Sequence, residues 1–210
     1  MSNNKQLRDN LRKAYDRHSQ EREFGGVSDW KITERAHFLT MLQQEQKESL
    51  LEIGAGPGKD SLFFKKKGLY VEATDLSSEM VKLCLQKGLS ARVMDMGDIQ
   101  FQENSFDAVY SLNSMLHLTK IEFPIVLQQI SRVLKPDGIF YLGMHGGNES
   151  EGVWDEDTYT PKRFFSFYSD DHLQQVIAKT FELLYFKSIS TETDSSIHFQ
   201  SCILRKKSNE

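Results

Sequence analysis

Cysteine is almost absent. Cys84 and Cys202 are the only two in 210 residues, and their separation matches no metal-ligand spacing. That excludes a disulfide scaffold and a zinc knuckle, and predicts two free thiols in a reducing cytoplasm. Proline is scarce, with four residues and no rich stretch that would mark a linker. A chain of this length then reads as one domain with a core large enough to need no staples. No apolar run approaches the roughly 20 residues needed to span a bilayer. The first residues are polar and charged, so no secretory leader is expected. A dominant charge is missing too. Lys and Arg total 26 against 30 Asp and Glu, a net charge of −4. Nucleic acid and anionic membranes both require concentrated positive charge, so neither is an expected partner. The basic end Arg205-Lys206-Lys207 reads as a solvated tail. A small molecule is the expected partner, and the oligomeric state stays open.

What the chain does have is alternation. Leu7, Leu11 and Tyr15 recur every four residues and predict a thinly apolar helix within 4–20. After the break Phe24-Gly25-Gly26-Val27-Ser28-Asp29, the spacing of Ile32, Ala36, Leu39 and Leu42 predicts another. A first strand is expected at Ser49 to Ile53. A helix follows from Lys59 to Lys67, stopped by Gly68, then a strand from Leu69 to Thr74. Ser77 or Ser78 caps a helix to about Lys87, stopped by Gly88. Strands are expected at Ser90 to Met94 and at Phe106 to Ser111. A helix from Phe123 to Leu134 ends in the turn signature Lys135-Pro136-Asp137-Gly138, and a fifth strand runs from Ile139 to Met144. Strands separated by helices predict a parallel, doubly wound sheet. A helix from Asp170 to Lys179 leads into two β-rich runs, Phe181 to Thr191 and Ile197 to Leu204. The turn joining them, Thr193-Asp194-Ser195-Ser196, is too short for a crossover, so the last strand is predicted antiparallel.

The first strand ends in Leu50-Leu51-Glu52-Ile53-Gly54-Ala55-Gly56-Pro57-Gly58-Lys59-Asp60. Strand, glycine turn and helix make a nucleotide crevice at the carboxyl edge of such a sheet. The dinucleotide pattern G-x-G-x-x-G fails at its sixth position, Lys59. Glu52 and Asp60 flank the turn and disfavour an anionic pyrophosphate at the helix start. A phosphate-free, cationic cofactor fits better, and S-adenosylmethionine (SAM) is one. Asp75, ending the second strand, can accept hydrogen bonds from ribose hydroxyls, although Asp75-Leu76-Ser77-Ser78 also reads as a helix cap. Asp95 in Val93-Met94-Asp95-Met96 could accept from an adenine amino group, with Met96 and Leu76 on the ring faces. The same stretch also fits an ordinary acidic turn.

Taken together, Leu51-Glu52-Ile53-Gly54-Ala55-Gly56-Pro57-Gly58, Asp75-Leu76-Ser77, Asp95, Asn104-Ser105-Phe106-Asp107-Ala108-Val109 and Leu134-Lys135-Pro136-Asp137-Gly138 resemble the class I SAM-dependent methyltransferases in order and spacing. The resemblance implies an α/β fold with a Rossmann-like, doubly wound, seven-stranded sheet whose last strand is antiparallel. It implies an N-terminal helical lid over 1–47 and a SAM-binding methyltransferase domain over 48–207. It also implies that Gly54 and Gly56 admit the methionine part of SAM, that Asp95 and Met96 hold the adenine, and that the Ser111 carbonyl meets the amino group. Tyr15 in Ala14-Tyr15-Asp16 resembles the aromatic residue that such lids place near the methionyl carboxylate. Glu52, Ala55 and Met80 complete the expected cofactor set. Lys179-Thr180-Phe181 departs from the family, where many members carry a small residue and glycine before the phenylalanine.

Transfer to an O, N or S nucleophile of a small metabolite is the expected chemistry, and histidine is the natural base for it. His117 and His145 both follow predicted strands, and His117 is the candidate catalytic residue. Asn113, His145, Trp154 and Tyr168 are the candidate substrate contacts. The aromatic-rich stretch 145–170 is the expected substrate-side loop, although its aromatics could equally cover the sheet. The Asn/Asp-Pro-Pro-aromatic motif of amino-methylating DNA enzymes is replaced by Ser111-Leu112-Asn113-Ser114, and neither cysteine stands beside a proline as in cytosine-C5 enzymes. A nicotinamide-dependent oxidoreductase and a non-catalytic SAM-binding protein remain the alternatives.

Overall fold

Leu50, Leu51, Glu52 and Ile53 are all buried in the first strand, as a strand covered on both faces must be. The computed structural model describes residues 2–191 and 197–207. Three helices lead in, α1 (Ser2–Arg17), α2 (Ser19–Phe24) and α3 (Asp29–Gln44). The alternating part is β1 (Ser49–Ile53), α4 (Lys59–Lys66), β2 (Tyr70–Asp75), α5 (Ser78–Gln86), β3 (Ser90–Val93), β4 (Phe106–Leu112), α6 (Glu122–Val133) and β5 (Leu134–Gly146). A small pair, β6 (Ser150–Val153) and β7 (Phe164–Phe167), precedes α7 (Asp170–Ile177), β8 (Phe181–Ile189) and β9 (His198–Lys206).

The main sheet has seven strands in the order β3-β2-β1-β4-β5-β9-β8. The first five are parallel, and β9 is antiparallel to both β5 and β8. This is the doubly wound sheet with an antiparallel last strand that the sequence predicts. The turn 193–196 lies outside the described residues.

One face of the sheet is covered by α6 and α7 through Phe123, Leu127, Ile130, Leu173 and Ile177. The other packs Phe38 and Leu42 of α3 and Phe64 of α4 against Tyr110 and Tyr141. So α3, within the stretch expected as a lid, is a layer of the fold itself. No helix among the described residues is long and apolar enough to cross a membrane.

Two local readings differ from the structure. Lys135-Pro136-Asp137-Gly138 is an excursion inside β5, with Asp137 at φ +58°. Pairing with β4 skips from Leu134 to Ile139 across it, so the turn residues bulge out of a strand that continues. The stretch 145–170 holds a two-stranded sheet, with Val153 opposite Phe164 and Ser150 opposite Phe167.

The seam between β5 and β9 is tight. A Cβ added at Gly143 would lie 2.5 Å from Phe199 Cζ and 2.9 Å from Tyr141 Cε1. Gly143→Ala is therefore expected to cost about 1–3 kcal/mol, read as a lower urea midpoint with an unchanged slope.

Candidate active site

At the carboxyl end of β1 the chain folds back over β2. The Gly54 and Ala55 N–H groups both donate to Thr74 O, at 2.8 and 2.9 Å. Gly56 N–H donates to Asp75 Oδ2 at 2.8 Å. Gly54 has φ +70°, and a Cβ there would sit 2.2 Å from Ser114 Cβ, so the turn requires glycine. The second Asp75 oxygen accepts from Ser77 N–H at 2.8 Å. Ser77 in turn caps α5 by accepting from Met80 N–H. A carboxylate offers about four acceptor positions, so Asp75 keeps capacity for further donors. Burial raises its pKa against the pull of these two amides.

The two acids flanking the turn are not bare charges. Glu52 is buried and accepts from Ser61 Oγ. Burial, with Asp60 and Asp75 nearby, pushes its pKa well up. Asp60 pairs with Arg35 at 2.6 Å. The electrostatic case against a pyrophosphate is thereby softened, and Asp60 still occupies the first turn of α4.

Helices α1 and α2 lie across this edge. Arg8 reaches Asp95 at 3.0 Å and Glu122 at 2.7 Å. Asp16 accepts from Ser77 Oγ at 2.6 Å, and Glu23 pairs with Lys87 at 2.6 Å. Tyr15 Oη stands 2.7 Å from His117 Nε2, while His117 Nδ1 stands 2.7 Å from Phe164 O. A carbonyl only accepts, so Nδ1 carries the proton and Tyr15 donates to Nε2. Arg163 donates to the same Tyr15 oxygen at 3.2 Å and is itself held by Asp157 at 2.7 Å. Burial pushes the His117 pKa down to about 3, helped by Arg163 and Arg22, so the ring is neutral with both nitrogens engaged.

Beneath these helices lie connected hollows. One of about 300 Å³ is lined by Arg22, Lys31, Glu52, Gly54, Ala55 and Lys59, among others. Beside it a recess is walled by Tyr15, Asp75, Leu76, Met96, Asn113 and His117. A third, under Leu7 and Leu11, adjoins Leu76, Met96 and Asp95. Asp95 already accepts from Gly97 N–H at 2.8 Å and meets Arg8. Arg22 stacks over the Tyr15 ring at 5.1 Å, and its buried Nε has no hydrogen-bond partner among the described residues. An orphaned guanidinium nitrogen beside a glycine turn fits an incoming carboxylate.

The remaining sequence candidates separate. Asn113, at φ +53°, lines the recess and is 3.0 Å from His145 Nδ1 through its Oδ1. His145 and Trp154 line a larger cavity of about 770 Å³, which meets the recess through the His145–Asn113 contact. Ser111 is fully buried, its hydroxyl 2.6 Å from that of Ser114. Met80 is fully buried in α5. Tyr168 is a core residue, 1% exposed, with its ring against Phe123. Arg22, Lys31 and Arg163 were not anticipated. They are isolated basic residues in sequence, and only the fold brings them to the crevice.

Opening of α1 would return His117 to solvent and to its ordinary pKa of 6.5. The open form then binds the extra proton, so closure weakens as pH falls from 6.5 toward about 3. Amide exchange in α1, corrected for its intrinsic rate, is expected to be about tenfold faster at pH 5.5 than at pH 7.5. His117→Gln should abolish that dependence.

Residues 51–142 match the family model described as a methyltransferase domain. The phosphoethanolamine N-methyltransferase of Plasmodium falciparum is 24% identical over 161 residues, 72% of this chain and 60% of that protein. A putative methyltransferase of Bacillus subtilis, YqeM, is 29% identical over 121 residues, 54% of this chain and 49% of that protein. The chain thus spans about half the length of these curated relatives. Among solved structures, the Burkholderia thailandensis 1,6-didemethyltoxoflavin-N1-methyltransferase, crystallised with 1,6-didemethyltoxoflavin and S-adenosylhomocysteine, superposes with a TM-score of 0.71. It is 18% identical and covers 94% of this chain and 88% of its own. A SAM-dependent methyltransferase of Methanosarcina mazei gives 0.68 at 22% identity, covering 76% and 92%. Sheet order, glycine turn and domain match agree: residues 51–142 form a methyltransferase domain of the class I, SAM-dependent kind.

Proposed function

We propose that the protein transfers the methyl group of SAM to an O, N or S nucleophile of a small metabolite in the cytoplasm. The observation that carries this reading is the pairing of an orphaned Arg22 nitrogen with the glycine turn pinned by Asp75. Arg22 is assigned to the methionyl carboxylate, with Tyr15 beside it. Gly54, Ala55 and Gly56 admit the methionine chain past a backbone with no obstructing side chain, and Glu52 floors the same hollow. Asp75 is assigned to the ribose hydroxyls with the acceptor positions its two amide partners leave free. Leu76 and Met96 are assigned to the adenine faces and Asp95 to its edge.

The sulfonium, when bound, brings its own activation, so the protein has to supply orientation and a dry site. The acceptor's lone pair forms the new bond to the methyl carbon as the carbon–sulfur bond breaks, in line, and its electron pair stays on sulfur. A proton leaves the acceptor if the acceptor carries one. His145 is assigned as the group that takes it. Its Nδ1 is positioned to donate to Asn113 Oδ1, which leaves Nε2 unprotonated. Burial, with Lys31 and His198, holds its pKa down at about 4, so the ring is neutral at physiological pH. Both nitrogens of His117 are engaged, and its proposed part is to fasten the covering helices.

The first test is calorimetric titration with S-adenosylhomocysteine, NADH and NADPH. Micromolar binding of the homocysteine compound alone is expected, and binding of a nicotinamide nucleotide instead would overturn the cofactor site. Asp75→Ala removes an acceptor of charge-assisted hydrogen bonds, each worth about 1.5–3 kcal/mol. Affinity for S-adenosylhomocysteine should fall about 10- to 100-fold or more. With an acceptor in hand, His145→Gln should lower kcat about 10²-fold or more while leaving that affinity intact.

A further inference from the structure

The large cavity next to the cofactor crevice has a wall chemistry of its own. Its floor is Leu116 and His145, and His145 meets the crevice through Asn113. Its far wall is built by β6, β7 and the chain between them. Trp154 and Phe165 stand edge to face at 5.5 Å, and Phe165 and Phe167 lie 5.8 Å apart at a tilt. Leu116 is buried, and Trp154 is 44% exposed. Such a set of aromatic faces, at the edge of a folded domain, binds an apolar body and favours a positive charge over a negative one.

The ionic groups agree with the aromatic ones. Glu156 is the charged residue among the described lining residues, and they include no lysine or arginine. The histidine in the floor is kept neutral by burial. The adjoining cofactor hollow carries both signs, with Arg22, Lys31 and Lys59 beside Glu21, Glu52 and Asp60. An acceptor carrying a phosphate or carboxylate would meet the Glu156 carboxylate, and the cation beside the rings, Arg163 over Phe165 at 5.1 Å, is already paired with Asp157. This separates the chain from what the name of a phosphoethanolamine N-methyltransferase says of that relative.

We infer that the methyl acceptor is an amine with an apolar or aromatic body, cationic at neutral pH, seated between Trp154, Phe165 and Phe167 with its ammonium group toward Glu156. The atom that receives the methyl group lies at the His145 end of the cavity. The inference rests on the methyl-transfer reading above, because it needs the adjoining crevice to hold the cofactor.

The test uses the full chain saturated with S-adenosylhomocysteine and three probes: tryptamine, its carboxylate counterpart indole-3-propionate, and O-phosphoethanolamine. Calorimetry is expected to give tryptamine at least about tenfold tighter than either anionic probe. Trp154→Ala and Glu156→Gln should each weaken tryptamine by about tenfold and leave S-adenosylhomocysteine affinity within about twofold. Glu156 is exposed, so Glu156→Gln is expected to fold normally, and matching melting temperatures would verify this. Equal or tighter binding of an anionic probe overturns the inference, as does tryptamine binding that neither variant alters. Absence of tryptamine binding up to about 1 mM also overturns it. Failure of S-adenosylhomocysteine itself to bind is a different result, for it strikes the cofactor reading on which the inference stands.

Discussion

The hydrogen bond from Gly56 N–H to Asp75 Oδ2 joins the carboxyl ends of the neighbouring strands β1 and β2, and the crevice takes its shape from it. Thr74 O holds Gly54 and Ala55 one step earlier, so three successive amides of the turn are committed to β2. The remaining Asp75 oxygen fixes Ser77, and Ser77 starts α5. A single carboxylate therefore sets the glycine turn, the end of β2 and the start of a helix. The cost is burial of a negative charge, visible in its raised pKa. That cost explains why the surrounding donors are backbone amides. They stabilise the charge through hydrogen bonds, with Arg22 adding a longer-range attraction.

The covering helices close by a different principle. Arg8, Asp16 and Glu23 make polar and ionic contacts to partners at the two ends of α5, on α6 and in the turn holding Asp95. The contact at the centre is the chain Arg163 to Tyr15 to His117 to Phe164, which ties α1, the turn after β4 and β7 together. The covering of the crevice is held mainly by polar contacts of modest net worth. Apolar contact would hold it more firmly, and the α1 stripe of Leu7 and Leu11 is too thin for that.

The sheet was legible because its punctuation is local. Gly68, Gly88 and Ser77 stop and start elements by conformational preferences that act within a few residues. The same locality misled at Lys135-Pro136-Asp137-Gly138, where turn residues sit in a strand whose pairing resumes beyond them. Two short strands in 145–170 were hidden because their apolar residues sit among acids and because the pair is held by the rest of the site. Tyr168 and Trp154 looked alike in sequence, yet one fills the core and the other lines a cavity. An aromatic residue gives the same signal for either fate. Arg22 and Arg163 were illegible for another reason. Their significance comes from partners far along the chain, such as Tyr15 for Arg163.

Asn113 connects these levels. It follows β4 directly, takes φ +53°, and donates its N–H to Gly143 O at 2.7 Å. Left-handed backbone in a non-glycine residue is tolerated where surrounding contacts enforce it, and asparagine bears it best. Here the conformation lets one residue line the cofactor recess while its amide oxygen meets His145 from the next strand. The recess and the large cavity are thus separated by a pair of neutral polar side chains. A charged pair in that place would bias either hollow toward one sign of ligand. Neutrality at the boundary leaves the crevice with its mixed charges, Arg22 and Lys31 beside Glu52 and Asp60, and the neighbouring cavity free to present Glu156 and aromatic faces. Burial of His145 keeps that divider uncharged.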